Sequence, residues 1–214
     1  MEQIKAVIFD MDGVLLDTES MCDKTWAAAL AEKGVRNDLG AIDKCRGTNL
    51  SDTLRILKDL YGKDFPAEQF MKRSGELVHE MEASFGIPVM PFAAQILKYL
   101  KPRYRLALAS STKKTSVCRQ LGNAGLLEYF ETLTTGDMVV HGKPDPEIYA
   151  LACKSLGLEP EVCVAVEDSP NGIKSASSCG MRTIMVPDKV QPDKELLPLI
   201  WKVCGNLGEI ERIL

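Results

Sequence analysis

The chain has 214 residues, 45% of them hydrophobic and 26% charged, with 30 acidic against 26 basic side chains for a net charge of -4. That length can bury a real interior, as one large domain or as a core with a modest insert, and the charge balance lacks the basic excess of a general nucleic-acid binder. No apolar run reaches the roughly 18 to 20 residues needed to cross a bilayer, and the opening MEQIKAVIFD has none of the zones of a signal peptide, so a cytoplasmic protein with no membrane or nucleic-acid partner is expected.

In chain order, AVIF at 6–9 is an apolar, β-rich run that leads directly into Asp10 and Asp12. Residues 17–86 then break with strand chemistry. They hold three helical patterns, MCDKTWAAALAEKG, LSDTLRILKDLYG and AEQFMKRSGELVHEMEASFG, each closing on a glycine suited to a C-cap. After GIPVMP the helical core face AAQILKYL appears, and from there strands and helices alternate: LALAS, KKTSVCRQLGNAG, TLTT, PEIYALACKSLG, VCVAV, NGIKSASSCG and RTIMV. Near-continuous apolar strands between helices imply a parallel sheet covered on both faces. The expected fold class is α/β, a Rossmann-like parallel sheet core at 1–16 and 87–214 with an inserted α-helical cap at 17–86. Two linkers would make that insert a hinged lid.

Seven cysteines are scattered without a C-x-x-C pair, and His79 and His141 stand alone. Reduced thiols in core positions are expected, with no disulfide frame and no zinc site. Trp26 and Trp201 read as packing residues.

In an open α/β sheet, ligands bind beyond the carboxyl ends of the strands. Asp10 and Asp12 follow the first strand, Ser110, Ser111 and Thr112 follow LALA, Glu167 and Asp168 follow VCVAV, and Lys143 stands in HGKPDPE between the last two. Helix starts reinforce the pattern: Ser169-Pro170 and Asp145-Pro146 suit an N-cap followed by a first helical proline, and SSTKKT places hydroxyls where a helix begins. Carboxylates, hydroxyls and one lysine suit metal-assisted phosphoryl transfer with Mg²⁺, whose charge offsets repulsion between the acids and a phosphate. Asp10 could attack phosphorus to form an aspartyl phosphate. Residues i and i+2 share one side of an extended chain, so Asp12 could reach the same centre and shuttle a proton. Gly13 permits the turn that follows. A calcium loop is excluded, because Val14 and Leu15 stand where that loop needs a third oxygen ligand and a glycine.

DMDGVLLDT, Ser110 in LALASST, Lys143 in GKPDPEIY and VEDSPNGIKSA, in this order, resemble the four motifs of haloacid dehalogenase superfamily phosphohydrolases. The branch is the one containing phosphatases and β-phosphoglucomutase-like enzymes, with a helical cap after the first strand. The resemblance spans essentially the whole chain. It implies Asp10 as nucleophile and metal ligand, and Asp12 as general acid and base, with its backbone carbonyl also on Mg²⁺. It further implies Ser110, Ser111 and Lys143 as phosphate-binding groups, and Glu167 and Asp168 as metal-holding acids. Arg46, Asn49, Lys72 and Arg73 are polar cap candidates for gripping the leaving group, surface solvation being the competing reading. Mutases of this branch carry a cap histidine where this chain has Cys22, and a cap arginine where it has Leu50. A Mg²⁺-dependent monomeric phosphatase of a small phosphorylated metabolite, such as a sugar phosphate, is therefore expected ahead of a phosphosugar mutase or a non-catalytic phosphometabolite-binding module.

Overall fold

The computed structural model describes residues 3–36, 40–45 and 50–214. The chain divides into two compact units, Met1–Asp17 with Pro88–Leu214, and Thr18–Ile87.

The first unit is built on a parallel sheet of order β3-β2-β1-β4-β5-β6. Its strands are β1 (Ala6–Phe9), β2 (Arg105–Ser110), β3 (Thr132–Thr135), β4 (Cys163–Glu167), β5 (Arg182–Met185) and the short β6 (Lys202–Val203). β1 is central and all four of its residues are buried, which is why AVIF shows no polar alternation: both of its faces meet apolar groups. Helices α5 (Ala93–Leu100), α6 (Lys114–Asn123), α7 (Glu147–Ser155) and α8 (Pro170–Ser178) complete the unit. Ile8, Ala107 and Ala165 pack with Ile148, Tyr149 and Ala152 of α7, and Ile173 of α8 packs with Met185 and Leu196. At roughly 1.5 to 3 kcal/mol for each fully buried large side chain, such clusters are a main driving force for folding of the unit.

Strand register sets the height of each loop above the sheet. Phe9 pairs with Leu108 on one side and Val166 on the other, so the next residues, Asp10, Ala109 and Glu167, stand level in adjacent strands. Beyond β1 the chain turns tightly: the Leu15 and Leu16 amides both donate to Met11 O, and the Gly13 amide donates to Leu16 O. The segments that leave and re-enter this unit are tied together by an antiparallel bridge between Leu16 and Val89, by Asp17 N to Pro88 O (2.8 Å) and by Met90 N to Leu15 O (2.9 Å).

The second unit is helical: α1 (Thr18–Glu32), α2 (Ala41–Cys45), α3 (Leu50–Tyr61) and α4 (Ala67–Phe85). Trp26, Leu30, Leu57, Phe65 and Phe70 form its core, with Trp26 and Phe70 edge to face at 5.0 Å. α1 and α4 are also joined at the surface, where Arg73 donates to both carboxylate oxygens of Glu32 (2.9 Å each) and to Glu80 (2.9 Å).

Two short elements go beyond the sequence expectation. β6 is two exposed residues with no apolar run, and α2 is a five-residue helix too short to show a period. Helix α7 begins one residue later than Pro146, yet Asp145 still accepts the Glu147 amide at 2.9 Å. Ser169 caps α8 as expected, its Oγ accepting from Gly172 N.

Phe92, ahead of α5, has φ +67° although it carries a side chain. That left-handed conformation costs an L-residue about 1 to 2 kcal/mol. Replacing Phe92 by Ala and by Gly removes the same ring, but only glycine relieves the backbone. Chemical denaturation should therefore place Phe92→Gly about 1 kcal/mol above Phe92→Ala; equal stabilities would show that the backbone there carries no such cost.

Candidate active site

The level register of β1, β2 and β4 brings three groups to one point. Lys143 Nζ donates to Asp10 Oδ1 (2.6 Å), to Glu167 Oε1 (2.6 Å) and to Ala109 O (3.1 Å). Its side chain is only 8% exposed. The lysine arrives on the loop before α7, which Glu147 pins by accepting the amides of Val140 (3.0 Å) and His141 (2.8 Å). Ser175 of α8 ties the loop from the other side by donating to Asp145 O at 2.6 Å.

Glu167 is fully buried and surrounded by donors. Besides Lys143, its Oε1 accepts from the Tyr149 hydroxyl (2.9 Å). Its Oε2 accepts from the amides of Asp168 (3.2 Å) and Ser169 (3.3 Å) and from the Ser169 hydroxyl (3.1 Å). A buried carboxylate is tolerated only with such compensation. Tyr149 was not singled out from the sequence; it occupies a helical core position, and only its buried hydroxyl distinguishes it from a packing residue. Its phenol is held well above its ordinary value by burial, with Glu167 and Asp10 adding to the effect, so it stays a donor.

Burial pushes the Asp10 carboxyl up, the Lys143 charge pulls it back, and Glu167 and Asp12 push it up again; the net result is about 8. Burial pulls the Lys143 ammonium down, but Asp10 and Glu167 outweigh it and hold the ammonium above its ordinary value. One lysine thus leaves the carboxylates short of positive charge. The missing charge can come from a proton or from a cation. Ligand oxygens of Asp10, Glu167 and Asp168 lie within 4.8 Å of one another, a hard-oxygen set that fits a small divalent cation such as Mg²⁺. Asp168 is brought close by Gly13, at φ +74°, where a Cβ would lie 2.3 Å from Asp168 Oδ2.

Asp12 is aimed differently. Its Oδ2 accepts from Thr112 Oγ1 (2.9 Å) and Ser110 Oγ (3.3 Å). Ser110 is fully buried, and its hydroxyl also accepts the Thr112 amide at 3.1 Å. Ser111 is exposed. The Ser110, Ser111 and Thr112 hydroxyls lie ahead of α6, but the residue at the cap position is Lys113, which makes no side-chain capping bond. The cap is Asp137, whose Oδ1 accepts the Lys114 amide (3.0 Å) and the Thr135 hydroxyl (2.7 Å). In the helical unit, Arg73 is committed to Glu32, Glu76 and Glu80, and Lys72 is exposed, 4.0 Å from Glu76. Arg46 and Asn49 lie outside the described residues.

The chain is similar to known proteins. Residues 4–180 match the model of the haloacid dehalogenase-like hydrolases. The chain belongs to that family. Within it, the chain is 34% identical over 185 residues to the phosphorylated carbohydrates phosphatase of Thermotoga maritima, covering 85% of this chain and 84% of the relative. It is 28% identical over 185 residues to the fructose-1-phosphate phosphatase YqaB of Escherichia coli, covering 86% and 97%. Among solved structures, one from Thermotoga maritima that carries a provisional β-phosphoglucomutase name superimposes with a TM-score of 0.80 at 32% identity, covering 98% of each chain. The chain is therefore an enzyme of the phosphatase branch of the haloacid dehalogenase-like hydrolases, with the α/β Rossmann-like core of that family. No helix among the described residues is long and apolar enough to cross a membrane.

The Asp137 cap has a pH signature. Hydrogen bonds from the Thr135 hydroxyl and the Lys114 amide hold its carboxyl below the ordinary value of 3.8. A carboxyl lowered in the folded state stabilises fully above its unfolded value, and that contribution is lost as pH falls through the folded value. Asp137→Ala should melt below wild type at pH 7, and the gap should close as pH falls below about 3.8. A gap that stays constant down to pH 2 would mean that the carboxylate charge is not what holds the helix end.

Proposed function

We propose that this chain is a Mg²⁺-dependent phosphatase that removes phosphate from a small sugar phosphate through an aspartyl-phosphate intermediate. The observation that carries the reading is the shared contact of Lys143 with Asp10 and Glu167, beside Asp168. A charge-compensated carboxylate at a strand end, next to a hard-oxygen cluster, suits attack on a dianionic ester. The sugar-phosphate substrate class rests on the names of the two phosphatases that the chain resembles. The two compact units read as a catalytic domain and a cap, and seven free cysteines suit a reducing, cytoplasmic setting.

Asp10 attacks phosphorus and the bond to the sugar oxygen breaks, leaving phosphate on the Asp10 carboxylate. Asp12 gives its proton to the departing sugar oxygen. Asp12 then takes a proton from a water molecule that attacks the acyl phosphate, which frees inorganic phosphate and restores Asp10. Lys143 and the Ser110 and Ser111 segment bind the phosphoryl oxygens. Mg²⁺ would be held by Asp10, Asp168, the Asp12 carbonyl and Glu167, and it supplies charge neutralisation between acids and ester.

Phosphate release from a panel of phosphorylated sugars and p-nitrophenyl phosphate tests the reading. Wild type with Mg²⁺ should release phosphate, EDTA should abolish release, and Asp10→Asn should lose about 10³-fold or more. Full activity in Asp10→Asn would overturn the nucleophile assignment. The likeness to a structure with a mutase name favours one second reading, for which the decisive result is isomerisation of a hexose 1-phosphate to the 6-phosphate without free phosphate.

A further inference from the structure

Thr112 has no part in the reaction as set out above, yet its position is tightly built. Its amide donates to Ser110 Oγ at 3.1 Å, and its carbonyl accepts the Gly136 amide at 3.1 Å. Gly136 presses so closely on this loop that a Cβ there would lie 2.0 Å from Ser111 O. One residue further on, Asp137 holds the Lys114 amide. The loop after β2 is thereby clamped on both sides of Thr112 by the segment after β3. The result of that clamping is the direction of one hydroxyl: Thr112 Oγ1 points at Asp12 Oδ2 at 2.9 Å, closer than the Ser110 hydroxyl at 3.3 Å on the same oxygen.

We infer that Thr112 is a positioning residue that orients the Asp12 carboxyl toward the leaving-group oxygen by occupying Oδ2 and presenting Oδ1 to the ester. The inference rests on the proposed role of Asp12 as proton donor. The role is orientation: Thr112 stands on β2's loop and Asp12 on β1's, so the bond fixes the χ angles of an otherwise half-buried side chain. Ser110 makes the longer of the two contacts to Asp12 Oδ2, 3.3 Å against 2.9 Å, and in the proposed reaction its hydroxyl also binds the phosphoryl group.

Proton donation matters in proportion to how poor the leaving group is. Phenyl phosphate leaves as a much more basic oxyanion than p-nitrophenyl phosphate, while the two esters present the same phosphoryl group. The measurement is kcat/KM for both esters with wild type, Thr112→Val, Thr112→Ser and Asp12→Asn. Thr112→Val, an isosteric change that keeps the loop's shape, should lower kcat/KM for phenyl phosphate by about 10- to 100-fold and for p-nitrophenyl phosphate by less than about threefold, with Thr112→Ser restoring most of the loss. Asp12→Asn should show the same selectivity more strongly. A parallel loss on both esters in Thr112→Val would overturn the inference, since weakened phosphate binding or a loosened loop acts equally on the two. If Asp12→Asn itself is unselective, the proton-donor role of Asp12 has failed and the inference falls with it. If Asp12→Asn is selective and Thr112→Val is not, only the inference falls. Should wild type release phosphate from neither these esters nor the phosphorylated sugars, the phosphatase reading has failed first.

Discussion

A single ammonium group shared between two strand ends governs the chemistry of this chain. Lys143 is nearly buried and donates to Asp10, Glu167 and Ala109 O. Each of the three would be unfavourable alone at this depth. Breaking a buried pair leaves an uncompensated charge and commonly costs 3 to 5 kcal/mol, so none of the three can be changed without affecting the others. The register of β1 against β2 and β4 makes the contact possible, since it sets Asp10, Ala109 and Glu167 at one height. A slip by one residue would turn one of the acids to the opposite face of the sheet.

Outward from that contact, the site is organised by what lies behind each acid. Glu167 accepts from donors on α7, the loop before it and the start of α8, so its carboxylate is held in place with Lys143 and Tyr149 arranged around it. Asp10 meets the same lysine with fewer partners, and its carboxyl is pushed up by burial. Asp12 is half-buried and held only by hydroxyls. The three acids thus differ in how many donors hold each of them, a difference that suits the separate roles proposed for them.

The sheet was legible in the sequence because its central strands are buried on both faces: AVIF, LALAS and VCVAV are continuous apolar runs that end in polar residues, and the ends of those runs are the site. The helices of 18–85 were legible for a related reason, since Trp26 and Leu30 in α1, and Leu54 and Leu57 in α3, stand one turn apart and pack in the same core. What escaped notice depends on contacts distant in sequence. Asp137 caps a helix that begins 23 residues earlier, and no local pattern marks that. Tyr149 reads as a helical core residue until the partner of its hydroxyl is known. Thr112 reads as a helix-start hydroxyl, yet it turns toward Asp12, 100 positions away. β6 and α2 are too short to carry a period. Local chemistry located the groups; tertiary register decided which way they face.

A cluster of acids at strand ends opposes folding, and the surrounding unit is built to withstand it. The carboxylates project from β1 and β4 and the residues just beyond them, and both strands are buried along their length. Ile8, Ala165, Ile148 and Tyr149 lie directly beneath them, so any relaxation that let the acids spread apart would open the sheet's own core. That coupling explains why the repulsion persists in the folded chain. The acids are held together by the hydrophobic strands below them, and the negative charge left after Lys143 supports the proposal of a cation at this site.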